Sequence, residues 1–243
     1  MSMDKGILLI DKPSGVTSHD VVDLVRRKLG VKKVGHAGTL DPLATGLLII
    51  LVGREYTKKQ AEFMAGDKEY LVTGKLGMTT DTYDVEGNIT SEAAWEQTSQ
   101  VTKLKVKKLL GSFTGIIKQQ VPAFSAVKIK GKKLYELARE ARKVKVQVKV
   151  KDLPIREVEI KELELVDFTA DPVKQLAEFS LRVICSKGTY IRSLIHDFGQ
   201  ELGVGATVTA LRRLKSGGFN VEEAVKLSSF NSQLSLNFQL LIL

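Results

Sequence analysis

The residues from Gly35 to Gly46, G-H-A-G-T-L-D-P-L-A-T-G, set one carboxylate, Asp41, in a glycine-rich loop immediately before Leu47 to Val52, an unbroken apolar run. A short apolar run bounded by turn residues reads as a buried strand. A rigid strand holds still the loop that feeds it, which suits a reacting group. Asp before Pro is on its own a common turn pair, because the Asp side chain bonds its local backbone. A placed carboxylate can act as a nucleophile or as a general base, and residue type does not choose between the two.

Arg192, in the segment S-K-G-T-Y-I-R, is the second candidate. It falls in the first turn of an expected helix, where a cation meets the unfavourable end of the helix dipole, so a specific anionic partner accounts for it better than exposure does. A buried carboxylate stays ionised when a guanidinium stands beside it, and the planar fork also fixes its orientation. Tyr70 follows D-K-E at the start of a strand, and a tyrosine there packs half-buried unless it has a chemical task. His36 lies within the glycine-rich loop, and Leu211, Arg212 and Arg213 form the run A-L-R-R.

The elements that must position these residues mix without regular alternation. Gly6 to Ile10 reads as a strand; Thr17 or Ser18 then caps a helix with Val21, Val22, Val25 and Leu29 on one face, stopped by Gly30. Glu69 to Leu76 reads as a strand, Asp81 to Gly87 as a turn-rich stretch, and Glu92 to Leu110 as a helix. Val144, Val146, Val148 and Val150 alternate with Lys145, Gln147, Lys149 and Lys151, the period of a strand with one basic face. After Pro154 another strand begins, in which the apolar phase slips between Ile160 and Leu163, as one bulged residue would cause. Glu178 to Cys185 is a further strand, followed by a helix from about Tyr190 to Leu202. No repeat or low-complexity tract appears, and the order argues an α+β fold.

The chain of 243 residues carries 37 basic and 28 acidic side chains, a formal charge of +9, which favours a polyanionic partner, nucleic acid above all. Between Lys128 and Lys151 ten basic residues stand against Glu136 and Glu140. That charge spans a loop, a helix and a strand, which suits phosphate contact better than one solvated helix face. The single cysteine, Cys185, excludes an internal disulfide and fits a reducing compartment. His19, His36 and His196 lack ligand spacing, so no metal is expected. There is no signal-peptide pattern and no run near the roughly 20 apolar residues that span a bilayer. A cytoplasmic protein that makes no use of a membrane follows.

The Gly35 to Gly46 loop resembles the catalytic motif of the TruB-type tRNA pseudouridine synthases, in which an Asp sits in G-H-x-G-x-L-D-P-x-A-T-G. Other segments match in the same order: Lys12 to Ser18 (K-P-S-G-V-T-S), Asp67 to Tyr70, Pro122 to Ala126, Gly131 to Tyr135, Ser186 to Arg192 and Ala210 to Arg213. Together they cover most of residues 6 to 225. The resemblance implies a pseudouridine synthase fold, a mixed and mainly antiparallel sheet with a central RNA-binding cleft. It further implies one catalytic domain over residues 1–243, with a basic thumb inserted at about 118–151.

The same resemblance implies isomerisation of uridine to pseudouridine in the T loop of tRNA, conventionally position 55, without cofactor or metal. Asp41 is then the catalytic carboxylate and Arg192 its partner. Tyr70 stacks on the target base and helps move its carbon-bound proton, and His36 lies beside the space left by the extruded base. Leu211 packs against the bound nucleotide, Arg212 and Arg213 meet the RNA backbone, and Tyr190 packs beneath the Asp–Arg pair. Lys12 and Pro13 shape the cleft from below. Lys132, Lys143, Lys145 and Lys149 of the thumb are expected on phosphates of the T arm, bound by a monomer.

Two departures from the pattern stand out. Glu55-Tyr56 replaces a small residue before T-K, and Thr80 stands where an arginine often precedes the T-D turn. No C-terminal PUA domain is recognised. The rival readings are a non-catalytic tRNA-binding or folding protein on the same scaffold, and a synthase acting on another RNA; retention of both Asp41 and Arg192 weighs against a pure binder.

Overall fold

The computed structural model describes residues 5–129, 131–143 and 153–232. Strand β1 (Gly6–Lys12) leads into helix α1 (Ser18–Leu29). Thr17 starts that helix with a complete capping box, exchanging bonds with Asp20, and Gly30 ends it in the left-handed conformation at φ 66°. Its buried face is Ser18, Val21, Val22 and Val25. Strands β2 (Val34–Ala37) and β3 (Thr45–Val52) follow, then the short helices α2 (Gly53–Lys58) and α3 (Gln60–Ala65) and strand β4 (Lys68–Leu76). Seven consecutive residues of β3, Gly46 to Val52, are buried, which explains its uninterrupted apolar sequence.

Next come β5 (Met78–Thr80), β6 (Ile89–Glu92), α4 (Trp95–Thr98), α5 (Lys103–Leu109) and β7 (Gly115–Gln120). The long helix expected from Glu92 to Leu110 is therefore broken. Thr98 and Ser99 return hydroxyl bonds to Ala94 and Glu96 carbonyls, and Thr102 caps a new helix by accepting from the Lys105 N–H. Hydroxyl side chains that serve the local backbone in this way compete with helix continuation.

The chain continues through the hairpin β8 (Lys128–Ile129) and β9 (Lys132–Lys133), α6 (Leu134–Lys143), β10 (Ile155–Asp171), β11 (Leu176–Cys185), α7 (Ile191–Glu201) and β12 (Ala206–Ser216). It closes with β13 (Phe219–Asn220), β14 (Val225–Lys226) and α8 (Leu227–Ser232). The register of β10 against β11 slips between Ile160 and Glu162, where the sequence phase predicts a bulge, and slips again between Leu165 and Asp167. The expected strand at Val144 to Val150, with Lys145 and Lys149, lies outside the described residues, as does the apolar tail Phe238 to Leu243.

Two compact units make up the chain, Met1–Leu71 with Ala210–Leu243, and Val72–Thr209, so β4 and β12 each contribute residues to both. In the first unit the strand order is β14-β1-β3-β12-β4, with β2 against β3 and β13 against β12. β1 and β2 run antiparallel to β3, whereas β12 runs parallel to it and β14 parallel to β1. Ile7, Leu9, Leu47, Ile49, Leu51 and Tyr56 centre its core. In the second unit the order is β12-β4-β11-β10-β7, with β10 antiparallel to both neighbours. The sheet is thus mixed and mostly antiparallel. Gln120 at the end of β7 pairs with Ile155 at the start of β10, so the basic segment falls in the connection between two adjacent strands. Among the described residues no helix is long and apolar enough to cross a membrane.

Candidate active site

Asp41 lies half-buried in the loop between β2 and β3, and the loop is pinned on both sides of it. Before Asp41, the buried Ser18 hydroxyl both donates to the Leu40 carbonyl and accepts the Leu40 N–H, each at 2.8 Å. After it, the Pro42 carbonyl accepts from the Gly15 N–H at 2.9 Å and from the Lys12 ammonium at 3.2 Å. Lys12 is fully buried and also donates to the carbonyls of Pro13 and Val16. It therefore supports the loop from within the fold. The Ala44 N–H closes the turn on the Asp41 carbonyl at 3.1 Å.

Arg213 holds both ends of this loop. Its guanidinium donates to the Gly38 carbonyl at 3.0 Å and to the Leu47 carbonyl at 2.7 Å, and the side chain is 1% exposed. The expectation that Arg213 meets the RNA backbone is thereby corrected: on strand β12 it points into the protein. Arg212 points the other way and forks onto Asp11, with two bonds of 2.9 Å that raise its pKa. Leu211 is buried beside the loop, and its carbonyl accepts from Thr45 Oγ1 at 3.3 Å. His36 is half-buried on β2. Burial, then the charges of Arg213 and His19, lower its pKa, which keeps the imidazole neutral at pH 7. Tyr70, near the start of β4, is 8% exposed.

In the second unit, Arg192 is 5% exposed in the first turn of α7. Its guanidinium donates to the carbonyls of Thr82 at 2.6 Å and Phe124 at 2.9 Å, and stands 3.5 Å from Asp84 Oδ2, equally buried. Asp84 in turn accepts from the Thr82 hydroxyl at 2.6 Å and the Glu86 N–H at 3.1 Å. A buried ion pair with its remaining valences filled is a rigid object. The sequence marks residues 81–87 only as a turn, so Asp84 was not among the expected site residues. Tyr190 precedes α7, and the Gln119 amide brackets it, accepting its N–H at 2.7 Å and donating to its carbonyl at 3.0 Å. Its ring packs with the Val121, Leu134 and Leu153 cluster.

The segment between β7 and β10 places Lys132 and Lys143 at exposed positions. Arg142 is committed differently: it forms a bidentate pair with Asp81, at 2.6 to 3.0 Å, and lies 4.7 Å from the Phe124 ring centre. Lys145 and Lys149 fall outside the described residues. The structure thus draws Asp41, Leu211 and Arg212 to neighbouring parts of one unit, and Arg192 and Tyr190 to one helix start in the other. Among the described residues no cluster of three or more His, Cys, Asp or Glu is placed to hold a metal.

Residues 26–191 match the family model described as TruB family pseudouridylate synthase (N terminal domain), and residues 192–237 match the tRNA pseudouridylate synthase B C-terminal domain. The chain is 48% identical to the tRNA pseudouridine synthase B of Desulfotalea psychrophila over 90% of its own length and 85% of that protein. It is 42% identical to that of Corynebacterium diphtheriae, over 96% of its own length and 75% of the relative. Among solved structures, a chain of a Cbf5-Nop10-Gar1 complex is similar with a TM-score of 0.67 at 29% identity, covering 94% of this chain and 54% of that one. A chain of an H/ACA RNP bound to a substrate RNA containing 2'-deoxyuridine gives 0.65 at 26% identity, covering 94% and 53%.

Proposed function

The chain belongs to the TruB family of pseudouridylate synthases, and from that premise we propose that it isomerises uridine to pseudouridine in the T loop of tRNA, conventionally position 55, with Asp41 as its catalytic carboxylate. The reaction breaks the bond between base nitrogen and sugar, turns the detached base and rejoins it through carbon. Nothing is oxidised and nothing is hydrolysed, so a single carboxylate held still meets the chemical need.

The observation that carries this reading is the pinning of the Asp41 loop, by Ser18 at Leu40, by Lys12 and Gly15 at Pro42, and by Arg213 at both ends. Reacting groups require such placement, because a displacement near 1 Å costs on the order of 100-fold in rate. Arg192 is the cationic partner of that carboxylate, a role implied by its motif and compatible with its fixed, buried setting. Tyr70 stacks on the base, a neutral His36 stands by the space the base leaves, and Leu211 supports the nucleotide. The target must leave its stack, which costs a few kcal/mol and is repaid by these contacts. Lys132 and Lys143 lie on T-arm phosphates. One chain acts as a monomer on one T arm in the cytoplasm, and a single cysteine demands no oxidising compartment.

The test incubates the purified protein with an unmodified tRNA transcript and maps pseudouridine by position. The expected result is one modified uridine in the T loop, lost with Asp41→Asn while tRNA binding stays within about tenfold. Substantial turnover by Asp41→Asn would remove Asp41 from its role, and modification confined to another arm would overturn the T-loop reading.

A further inference from the structure

Tyr83 has φ 65°, one of two non-glycine residues with positive φ among those described. This conformation disfavours an L-residue with a bulky side chain, and where it persists the surroundings must hold it. Glycine or asparagine would take it more readily. Tyr83 lies between Thr82, whose carbonyl accepts from Arg192 at 2.6 Å, and Asp84, whose carboxylate stands 3.5 Å from the same guanidinium. The left-handed residue lets the turn bring a carbonyl and a carboxylate two positions apart onto one cation.

The ring of Tyr83 stacks on His196, with centroids 3.9 Å apart and planes inclined by 16°. His196 is four residues beyond Arg192 on α7, so the two side chains share one face of that helix. The helix therefore grips the turn twice, through a guanidinium and through an imidazole face. Nδ1 of His196 is buried with no hydrogen-bond partner, so the stack is not a by-product of a bond made at that atom. Burial lowers the His196 pKa and raises that of Tyr83, which leaves both rings neutral at pH 7. The backbone on either side is held as well, with Val208 N–H on the Tyr83 carbonyl at 3.1 Å and Val85 N–H on the Val208 carbonyl at 3.0 Å.

From this geometry we infer that Tyr83 and His196 are positioning residues for the isomerisation, a stacked pair that holds the 82–84 turn against α7 and so sets the angle at which Arg192 is presented. The inference rests on the reading of Arg192 as a working group of the reaction. Neither ring touches the substrate in this account. Their effect passes through the Thr82 carbonyl and the Asp84 carboxylate to the guanidinium.

The test measures kcat and KM on a tRNA transcript for His196→Ala, His196→Phe, Tyr83→Gly and Arg192→Lys. With the stack removed, His196→Ala should lose about 10- to 100-fold in kcat with KM within about twofold, because orientation rather than binding is disturbed. His196→Phe, which restores an aromatic face, should recover to within about threefold of the native kcat. Tyr83→Gly relieves the backbone and removes only the ring, so it should fold and show the same kcat loss, which covers the case in which His196→Ala fails to fold. Native-like kcat in Tyr83→Gly, or failure of His196→Phe to recover while folded, overturns the inference. An inactive Arg192→Lys beside a fully active His196→Ala would sink this inference alone. A fully active Arg192→Lys would sink the assignment of Arg192 and this inference with it.

Discussion

Arg192 Nη1 and Asp84 Oδ2 stand 3.5 Å apart with both side chains 5% exposed, and the same guanidinium holds the Thr82 and Phe124 carbonyls. Removing one partner of a buried pair leaves an uncompensated charge, a cost of about 3–5 kcal/mol. Asp84→Ala is therefore expected to lower stability by that order in urea unfolding. Arg192→Lys keeps the charge and loses the planar fork, so turnover should fall severely with far less change in tRNA affinity. Near-native turnover by Arg192→Lys would show that the fork is dispensable.

Ser18 offers a test of loop placement apart from charge. Its hydroxyl satisfies both the N–H and the carbonyl of Leu40, the residue before Asp41. Ser18→Ala leaves two buried backbone groups unpaired, at about 1–3 kcal/mol each, unless the loop shifts to find water. A stability loss of that order is expected together with a drop in kcat at constant KM. If kcat stays native while stability falls, the Ser18 bonds hold the fold and not the reacting group.

What could be read from the sequence follows how local each signal is. Helix α1 carries its own cap, apolar spacing and terminal glycine, so its boundaries were legible. The first slip in β10 was legible too, because one extra residue visibly shifts the apolar phase at Ile160. Asp84 was not, since an Asp in D-T-Y-D-V-E-G has the same sequence appearance whether it ends a turn or meets a buried arginine from more than a hundred residues away. Arg213 was within reach: adjacent residues of a strand face opposite sides, so Arg212 and Arg213 could not both face RNA. The single helix expected from Glu92 to Leu110 is two shorter ones, because the hydroxyls of Thr98, Ser99 and Thr102 serve the local backbone and composition alone does not reveal that competition.

Gly46 is where the loop becomes strand β3. Its φ is 97°, and a Cβ there would come within 2.2 Å of the Arg213 carbonyl oxygen, a backbone atom that cannot swing aside. Gly46→Ala combines overpacking of about 1–3 kcal/mol with backbone strain of about 1–3 kcal/mol. The variant is expected to unfold at a denaturant midpoint well below native, or to accumulate in the insoluble fraction. A native midpoint would mean that β12 moves away from β3 at little cost.

Asp197 sits half-buried on α7, and burial together with the Glu201 charge pushes its pKa up to about 6. A carboxyl whose folded pKa lies above its unfolded value favours folding when protonated, and that contribution is lost as pH rises through about 6. Asp197→Asn, always neutral, should raise Tm at pH 8 and make no difference below the unfolded carboxyl value near 4. The gain should open between those limits. An equal gain at pH 3.5 and pH 8 would show that the amide acts through hydrogen bonding and not through charge.

The last prediction separates cations of the segment between β7 and β10 by their commitments. Lys132 and Lys143 are exposed, whereas Arg142 is bound to Asp81 through a bidentate pair and lies over the Phe124 ring. A lysine that neutralises a phosphate contributes close to one unit to the slope of log K against log salt, because it releases a condensed counterion. Lys132→Gln and Lys143→Gln should each flatten the slope for tRNA binding by about one unit at most, weakening affinity alike for any tRNA sequence. Arg142→Gln should leave the slope nearly unchanged, since its charge is already answered by Asp81. Titrations from low to moderate salt decide the matter. A full unit lost with Arg142→Gln would mean that the Asp81 pair opens on RNA, and an unchanged slope for both lysines would return them to a solvated surface.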